Sequence, residues 1–245
     1  MSVQLEFASS YAGCSFTSDN SLCHGQMDTP YGSLCMVCTG MSGPPQDVVA
    51  GCITFEIIRR VFTSVPGRAA VELFESAVRE ANDVLYRMVE SNRYPHGMGA
   101  DLVALLIEPE TPDESLVCHV GCNRAYRIRK GTVSRLTHDH FKLGGMMKRA
   151  PSAAGSQWYM EPRGIVTRSI GTDRMIEPEI IKIDVDHGDR YILCARCVSD
   201  RMTDSDFLEL YRHDPREYAS CILEFAGTGN GGRNPVVQVV DVGSL

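Results

Sequence analysis

Apolar positions along the chain change period several times, and each change marks an element. From about Asp47 to Thr63, Ile53, Ile57, Ile58, Val61 and Phe62 recur at helical spacing, and Val65-Pro66-Gly67 stops the run. A second amphipathic helix is expected from about Arg68 to Ser91. Val71, Phe74, Val78, Ala81, Leu85 and Met88 form its apolar face, while Glu72, Glu75, Arg79 and Glu80 point elsewhere. Strand patterns follow at Leu102–Ile107, Leu116–Val120, Ala125–Arg129 and Thr132–Leu136, the last two joined across Lys130-Gly131. Ile180–Val185, Arg190–Cys194 and Val236–Val242 complete the set of predicted strands. The segment 141–164 is polar and rich in Gly, Ser and Met, and reads as an excursion from a sheet. Thr203 with Asp206 resembles a capping box for a helix through about Tyr211. Asp214-Pro215 opens a further helix that stops at Gly227. Long adjacent helices between runs of short strands predict an α+β layered fold.

The chain has 245 residues, 43% of them hydrophobic and 22% charged, enough to bury a sizeable core. A formal net charge of −7 disfavours an extended nucleic-acid footprint and supplies no polybasic membrane patch. No apolar run approaches the roughly 20 residues that span a bilayer. The N-terminal stretch carries Glu6 and lacks a basic start followed by an apolar core, so a cytoplasmic protein is expected. Ten cysteines in that setting read as reduced thiols. Cys35/Cys38 and Cys194/Cys197 have C-x-x-C spacing and, if on neighbouring strands, could be read as a zinc or redox pair of motifs. Residues three apart on a strand point to opposite faces, however, which weakens that reading.

The order of seven short segments carries more information than the periods. Gly32–Gly51, GSLCMVCTGMSGPPQDVVAG, is similar to a strand, D-G-M-G-G and a helix of small residues. Gly97–Val103, GMGADLV, resembles M-G-T-T-L-V; VGCNRAY, ending at Tyr126, resembles V-G-D-S-R-A-Y; LTHDH, ending at His140, resembles L-T-x-D-H. VTRSIGTD resembles L-T-R-A-L-G-T-D, GDRYILCARCVSD resembles G-D-R-L-L-L-C-S-D-G-L-T-D, and GGRNPVVQVV resembles G-G-x-D-N-I-T-V-V-V. In this order, they resemble the PPM-type (type 2C) protein serine/threonine phosphatase family across almost the whole chain. The resemblance implies a single 1–245 domain built as an α-β-β-α sandwich, two antiparallel sheets flanked by helix pairs, with 141–164 as its flap.

It also implies hydrolysis of phosphoserine and phosphothreonine by a pair of Mg²⁺ or Mn²⁺ ions held by carboxylates. At the matching positions this chain has Thr39, Cys122, Arg196 and Asn234 in place of aspartates, with Gly40 retained and Pro235 after Asn234. The family's N-terminal R-x-x-N-E-D is matched only by FTSDNS, where Phe16 stands near the arginine position and Asp19 and Asn20 near the acids. A guanidinium at a cation's ligand position repels it: unit charges about 4 Å apart cost roughly 4 kcal/mol at an effective dielectric near 20. The reading is therefore a degenerate cleft of Asp19, Asn20, Thr39, Gly40, Cys122, Arg196 and Asn234 in a catalytically inactive pseudophosphatase, with no cofactor expected. Arg196 is expected to pair with Asp19 or Asp200. Asp139, His140, Arg168 and Asp173 read as determinants of the fold.

Such a domain would serve phospho-signalling by binding a protein, with a kinase, a phosphoprotein or a phosphatase as the partner implied, through the cleft and through Met146, Met147 and Trp158 of the flap. Two alternatives stay open: a weak or unusual Mg/Mn-dependent phosphatase, and a phosphopeptide reader using Arg196, Asn234, Thr39 and Arg233. A Cys–His nucleophile built from Cys122 with His119, His138 or His140 is a further chemical reading.

Overall fold

A computed structural model describes residues 3–11, 24–41, 46–64, 67–91, 98–142, 165–211, 214–227 and 235–244. The elements run β1 (Val3–Tyr11), β2 (His24–Thr29), β3 (Gly32–Gly40), α1 (Gln46–Ser64), α2 (Ala70–Glu90), β4 (Ala100–Ile107) and β5 (Ser115–Val120). They continue with β6 (Arg124–Arg129), β7 (Thr132–Arg135), β8 (Phe141–Lys142), β9 (Ile165–Val166), β10 (Glu179–Ile183) and β11 (Arg190–Cys194). The chain then forms α3 (Arg196–Ser199), α4 (Asp204–Leu210), α5 (Pro215–Phe225) and β12 (Val236–Ser244). One sheet has the order β1-β12-β11-β6-β7, the other β10-β5-β4-β3-β2, and every pairing within them is antiparallel. A small β8-β9 ribbon stands apart from both.

Strand alternation sorts these residues into three apolar layers. Leu34, Met36 and Cys38 of β3, with Leu102, Ala104 and Leu106 of β4, face α1 and α2, where Ile58, Phe62, Leu73 and Phe74 are fully buried. Their neighbours Cys35, Val37, Val103, Leu105 and Val117 face the other way and meet Tyr191, Leu193, Val236 and Val240 of the opposite sheet. Ile128, Ile192, Val237 and Val239 point outward again, onto Phe207, Tyr218 and Ile222 of α4 and α5. This is the α-β-β-α sandwich the resemblance implied. Each buried Leu, Ile or Phe contributes roughly 1.5–3 kcal/mol relative to exposure.

Local chemistry sets the ends of these elements. Lys130 and Gly131 both take positive φ, 51° and 75°, the turn a two-residue hairpin between β6 and β7 requires. Thr203 accepts from the Asp206 amide while the Asp206 carboxylate accepts from the Thr203 amide, the capping box expected for α4. Asp214 accepts from the Glu217 amide at 3.0 Å and starts α5.

Four readings change. In α2, Leu73 and Ala77 join the buried face and Val71 does not: it lies in the first turn and is 40% exposed. Cys35 and Cys194 lie in different sheets, not on neighbouring strands, and Cys197 belongs to α3. Cys35 and Cys38 do face opposite layers, so C-x-x-C spacing builds no joint site there. The third change is α3, a single turn after β11 with no periodic signal of its own. Finally, β1 and β2 are edge strands in segments without a strand expectation, although Val3, Leu5 and Phe7 alternate with Gln4 and Glu6. The flap residues Met146, Met147 and Trp158 lie outside the described residues. Among the described residues no helix is long and apolar enough to cross a membrane.

Candidate functional site: a cleft lined by guanidinium and carboxylate groups

The site is assembled where β3, β5 and β11 end and β4 begins. Register pairs Thr39 with Asp101 and Gly40 with Ala100. Past Val120 the chain turns at Gly121, whose φ is +96°. A Cβ at Gly121 would lie 2.0 Å from Asp101 Oδ1, so only glycine lets the Asp101 carboxylate tuck beneath this turn. There Asp101 Oδ2 accepts the Cys122 amide at 3.0 Å, and Oδ1 accepts the Ser169 hydroxyl at 3.3 Å. Gly121→Ala should destabilise the protein by about 2 kcal/mol or more through φ strain and this overlap. Urea unfolding checks it; an unchanged midpoint would mean that the turn has room to relax.

Thr39 donates to Asn123 Oδ1 at 2.9 Å. Asn123 spends its own amide on the carbonyls of Val37 and Asp101, both at 3.2 Å. The threonine hydroxyl is thus tied into the β-strand ends. Arg196 enters from α3 and lies beside the Cys122 thiol and the Asp101 carboxylate. Its Nε donates to Asp200 Oδ2 at 3.0 Å, and its guanidinium carbon stands 4.7 Å from the centroid of the Phe141 ring. Of the two partners expected for Arg196, Asp200 is the one observed; Asp19 lies outside the described residues, as do Asn20 and Asn234.

Behind Arg196 the charges alternate. Arg124 reaches Asp139 through two bonds, Nε to Oδ1 at 2.9 Å and Nη2 to Oδ2 at 2.6 Å. The same Nη2 is 2.7 Å from Asp200 Oδ1, and Nη1 donates to Ser199 at 3.0 Å. Arg135 closes the row on Asp139. Three guanidinium groups therefore share two carboxylates in a line from Arg135 to Arg196. Burial alone would raise the Asp139 carboxyl, yet the bonds and charge of Arg124, then Arg135 and Arg196, hold it below the usual range. Asp139 is both a determinant of the fold and a member of this charge row.

Asp101 behaves in the opposite way. Burial pushes its carboxyl up to about 7, against the pull of the Cys122 amide, the Ser169 hydroxyl and Arg196, while Asp139 adds to the rise. This residue went unread in the sequence, although it stands where GMGADLV departs from M-G-T-T-L-V. Burial, then Asp101 and Asp139, push the Cys122 thiol up to about 12 despite Arg196. A thiol so held is protonated at neutral pH, which argues against Cys122 as a nucleophile. Cys35, Cys38, Cys118, Cys122 and Cys194 are buried free thiols.

No family model matches the chain. The serine/threonine protein phosphatase PstP of Mycobacterium tuberculosis is 27% identical over 204 residues, which cover 83% of this chain and 39% of that protein. The chain thus spans about two fifths of that relative's length. A serine/threonine phosphatase of Listeria welshimeri is 20% identical over 212 residues, covering 84% of this chain and 83% of that one. Among solved structures, the catalytic domain of PstP in complex with two manganese ions aligns with a TM-score of 0.74 at 25% identity, covering both chains completely. The S. agalactiae serine/threonine phosphatase aligns at 0.80, with 20% identity, 97% of this chain and 99% of that one.

These findings correct one expectation. The sequence reading expected no cofactor; the PstP catalytic domain, with which this chain aligns over its whole length, holds two manganese ions. The described positions that the sequence resemblance assigns to metal ligands offer a threonine hydroxyl, a glycine carbonyl, a thiol and a guanidinium. That donor set does not fit a pair of hard divalent cations, which take carboxylate and other oxygen ligands. Three carboxylates, Asp101, Asp139 and Asp200, stand around those positions instead, two of them engaged by arginine.

Proposed function

We propose that this chain, a relative of the PPM-type serine/threonine phosphatases, is a pseudophosphatase: a regulatory, protein-binding domain in phospho-signalling that uses the cleft for recognition. The observation that carries this reading is Arg196. It occupies a position matched to a metal-ligating aspartate, bonded to Asp200 and set beside the Cys122 thiol. Arginine cannot shed its charge to admit a cation, whereas it suits a carboxylate or phosphate on a partner. Its Nε is committed to Asp200, which fixes the plane of the guanidinium. A kinase, a phosphoprotein or another phosphatase is the partner class proposed.

A second reading has its own support. The similar proteins bear phosphatase names, and Asp101 adds a buried carboxylate that the matched motif lacks. A metal-dependent phosphatase with an altered cleft would use such a group. Assays of p-nitrophenyl phosphate and phosphothreonine peptide hydrolysis with excess Mn²⁺ separate the two. The pseudophosphatase reading expects no Mn²⁺-stimulated turnover above a heat-denatured control, in the unmodified chain and in Arg196→Asp alike, because one restored carboxylate does not rebuild the set. Saturable Mn²⁺-dependent turnover by the unmodified chain would overturn it in favour of the phosphatase.

A further inference from the structure

A second cluster begins one residue beyond Asp139, at His140, and reaches His119 near the end of β5. His119 is on β5, at the alternate positions that face the opposite sheet, and its register partner is Glu179 of β10. The His119 side chain is fully buried, and neither of its ring nitrogens has a hydrogen-bond partner. A buried imidazole left in that state loses the hydration of both nitrogens without return, so it needs another group to face. Its Nδ1 is 3.7 Å from Glu179 Oε2, and His140 Nε2 reaches the same oxygen at 3.2 Å. The two rings stand 4.6 Å apart between centroids, and one ligand atom from each of the three residues lies within 4.8 Å of the other two.

We propose that His119, His140 and Glu179 form a divalent transition-metal site of the zinc class, separate from the positions matched to the relatives' ions. Ligand atoms bound tetrahedrally at about 2.0–2.2 Å stand about 3.3–3.6 Å from one another. The two nitrogen-to-oxygen separations, 3.2 and 3.7 Å, fall just to either side of that window. Two imidazoles and one carboxylate are a donor set that zinc takes while keeping a fourth position open. Glu179, 34% exposed, gives the cation a route in and water a place at that fourth position. The charges facing the cluster are those of Glu179 and Asp139, favourable to a cation, and of exposed Arg168, which opposes it.

His140 sets the cost. Its Nδ1 accepts the Gly121 amide at 3.1 Å, so the ring proton sits on Nε2 and is donated to Glu179. A cation on Nε2 displaces that proton to Nδ1, and the Gly121 amide gives up its acceptor. One backbone hydrogen bond is thus exchanged for three metal–ligand bonds, which are the larger contribution.

The test is a titration of the chelator-stripped chain with Zn²⁺ by calorimetry and with Co²⁺ by absorption. One equivalent should bind, Co²⁺ should give the visible bands of a tetrahedral site without an intense near-ultraviolet thiolate band, and Zn²⁺ should shift the Gly121 amide resonance. Glu179→Gln and His140→Asn should each weaken binding on the order of 10- to 100-fold or more. Should His140→Asn fail to fold, Glu179→Gln decides alone, since its side chain sits at the rim. Equal zinc binding in Glu179→Gln, a thiolate spectrum, or no binding by the unmodified chain would overturn the assignment. None of these outcomes depends on whether the cleft hydrolyses phosphate.

Discussion

Asp139→Ala should lower folding stability by about 3–5 kcal/mol, the range for removing one partner of a buried ion pair. The side chains of Arg124 and Asp139 are 10% and 5% exposed, so the guanidinium left behind could not be rehydrated where it stands. The loss is the desolvation cost of a guanidinium stripped of its bidentate partner and left with Asp200 and Ser199, more than the worth of the pair itself. Arg135 would lose its buried partner as well, although at 35% exposure it can swing into water. Replacing both members, Arg124→Met with Asp139→Leu, should therefore cost less than Asp139→Ala alone, because no unpaired charge remains. Urea denaturation at neutral pH checks both. A double replacement that costs as much as the two single ones summed would mean that the row is held by packing of the side-chain stems.

That row was only partly legible in the sequence. The L-T-x-D-H match brought Asp139 and His140 to notice, but as residues of the fold. Nothing in the linear order said that Arg124, in VGCNRAY, would grip Asp139 while sharing Asp200 with Arg196. Those contacts span 15 and 76 positions and depend on β6 lying between β7 and β11 in one sheet. Local features fared better because local physics sets them: the Thr203–Asp206 box, the Lys130-Gly131 turn and the β3 and β4 alternation stand where the residues put them. Val71 shows the limit. Its spacing fits the α2 stripe, yet in the helix's first turn it stays 40% exposed. Edge strands β1 and β2 lie in segments whose polar content hides their period. The His119 site was masked in another way: His119, in an apolar run, was weighed only as a base for Cys122, and its partner Glu179 follows a proline in an acidic stretch. Their register across β5 and β10 is what unites them.

Asp101 was missed for a similar reason, and it supports the most informative solution experiment. Its folded-state carboxyl titrates near 7, against about 3.9 for an aspartate in an unfolded chain. Between those values the folded protein holds a proton that the unfolded chain has released. Stability from this group is thus full below about pH 4, falls as pH rises, and levels off above 7. At 1.36 kcal/mol for each unit, the decline amounts to about 4 kcal/mol. Asp101→Asn keeps an oxygen for the Cys122 amide and removes the titration. Relative to the unmodified chain, its stability should rise by about 4 kcal/mol between pH 4 and pH 8. Asp139 has the opposite sign: its depressed carboxyl contributes stability above the unfolded value that is lost as pH falls through its folded one, so the acid limb should survive in Asp101→Asn. Parallel profiles for the two proteins would place the Asp101 carboxylate in an environment that solvates its charge. The flattened profile, by contrast, would make Asp101 neutral over much of the range near pH 6, when Arg196 faces one carboxylate fewer. The cleft would then present more net positive charge to a phosphorylated partner in mild acid than at pH 8.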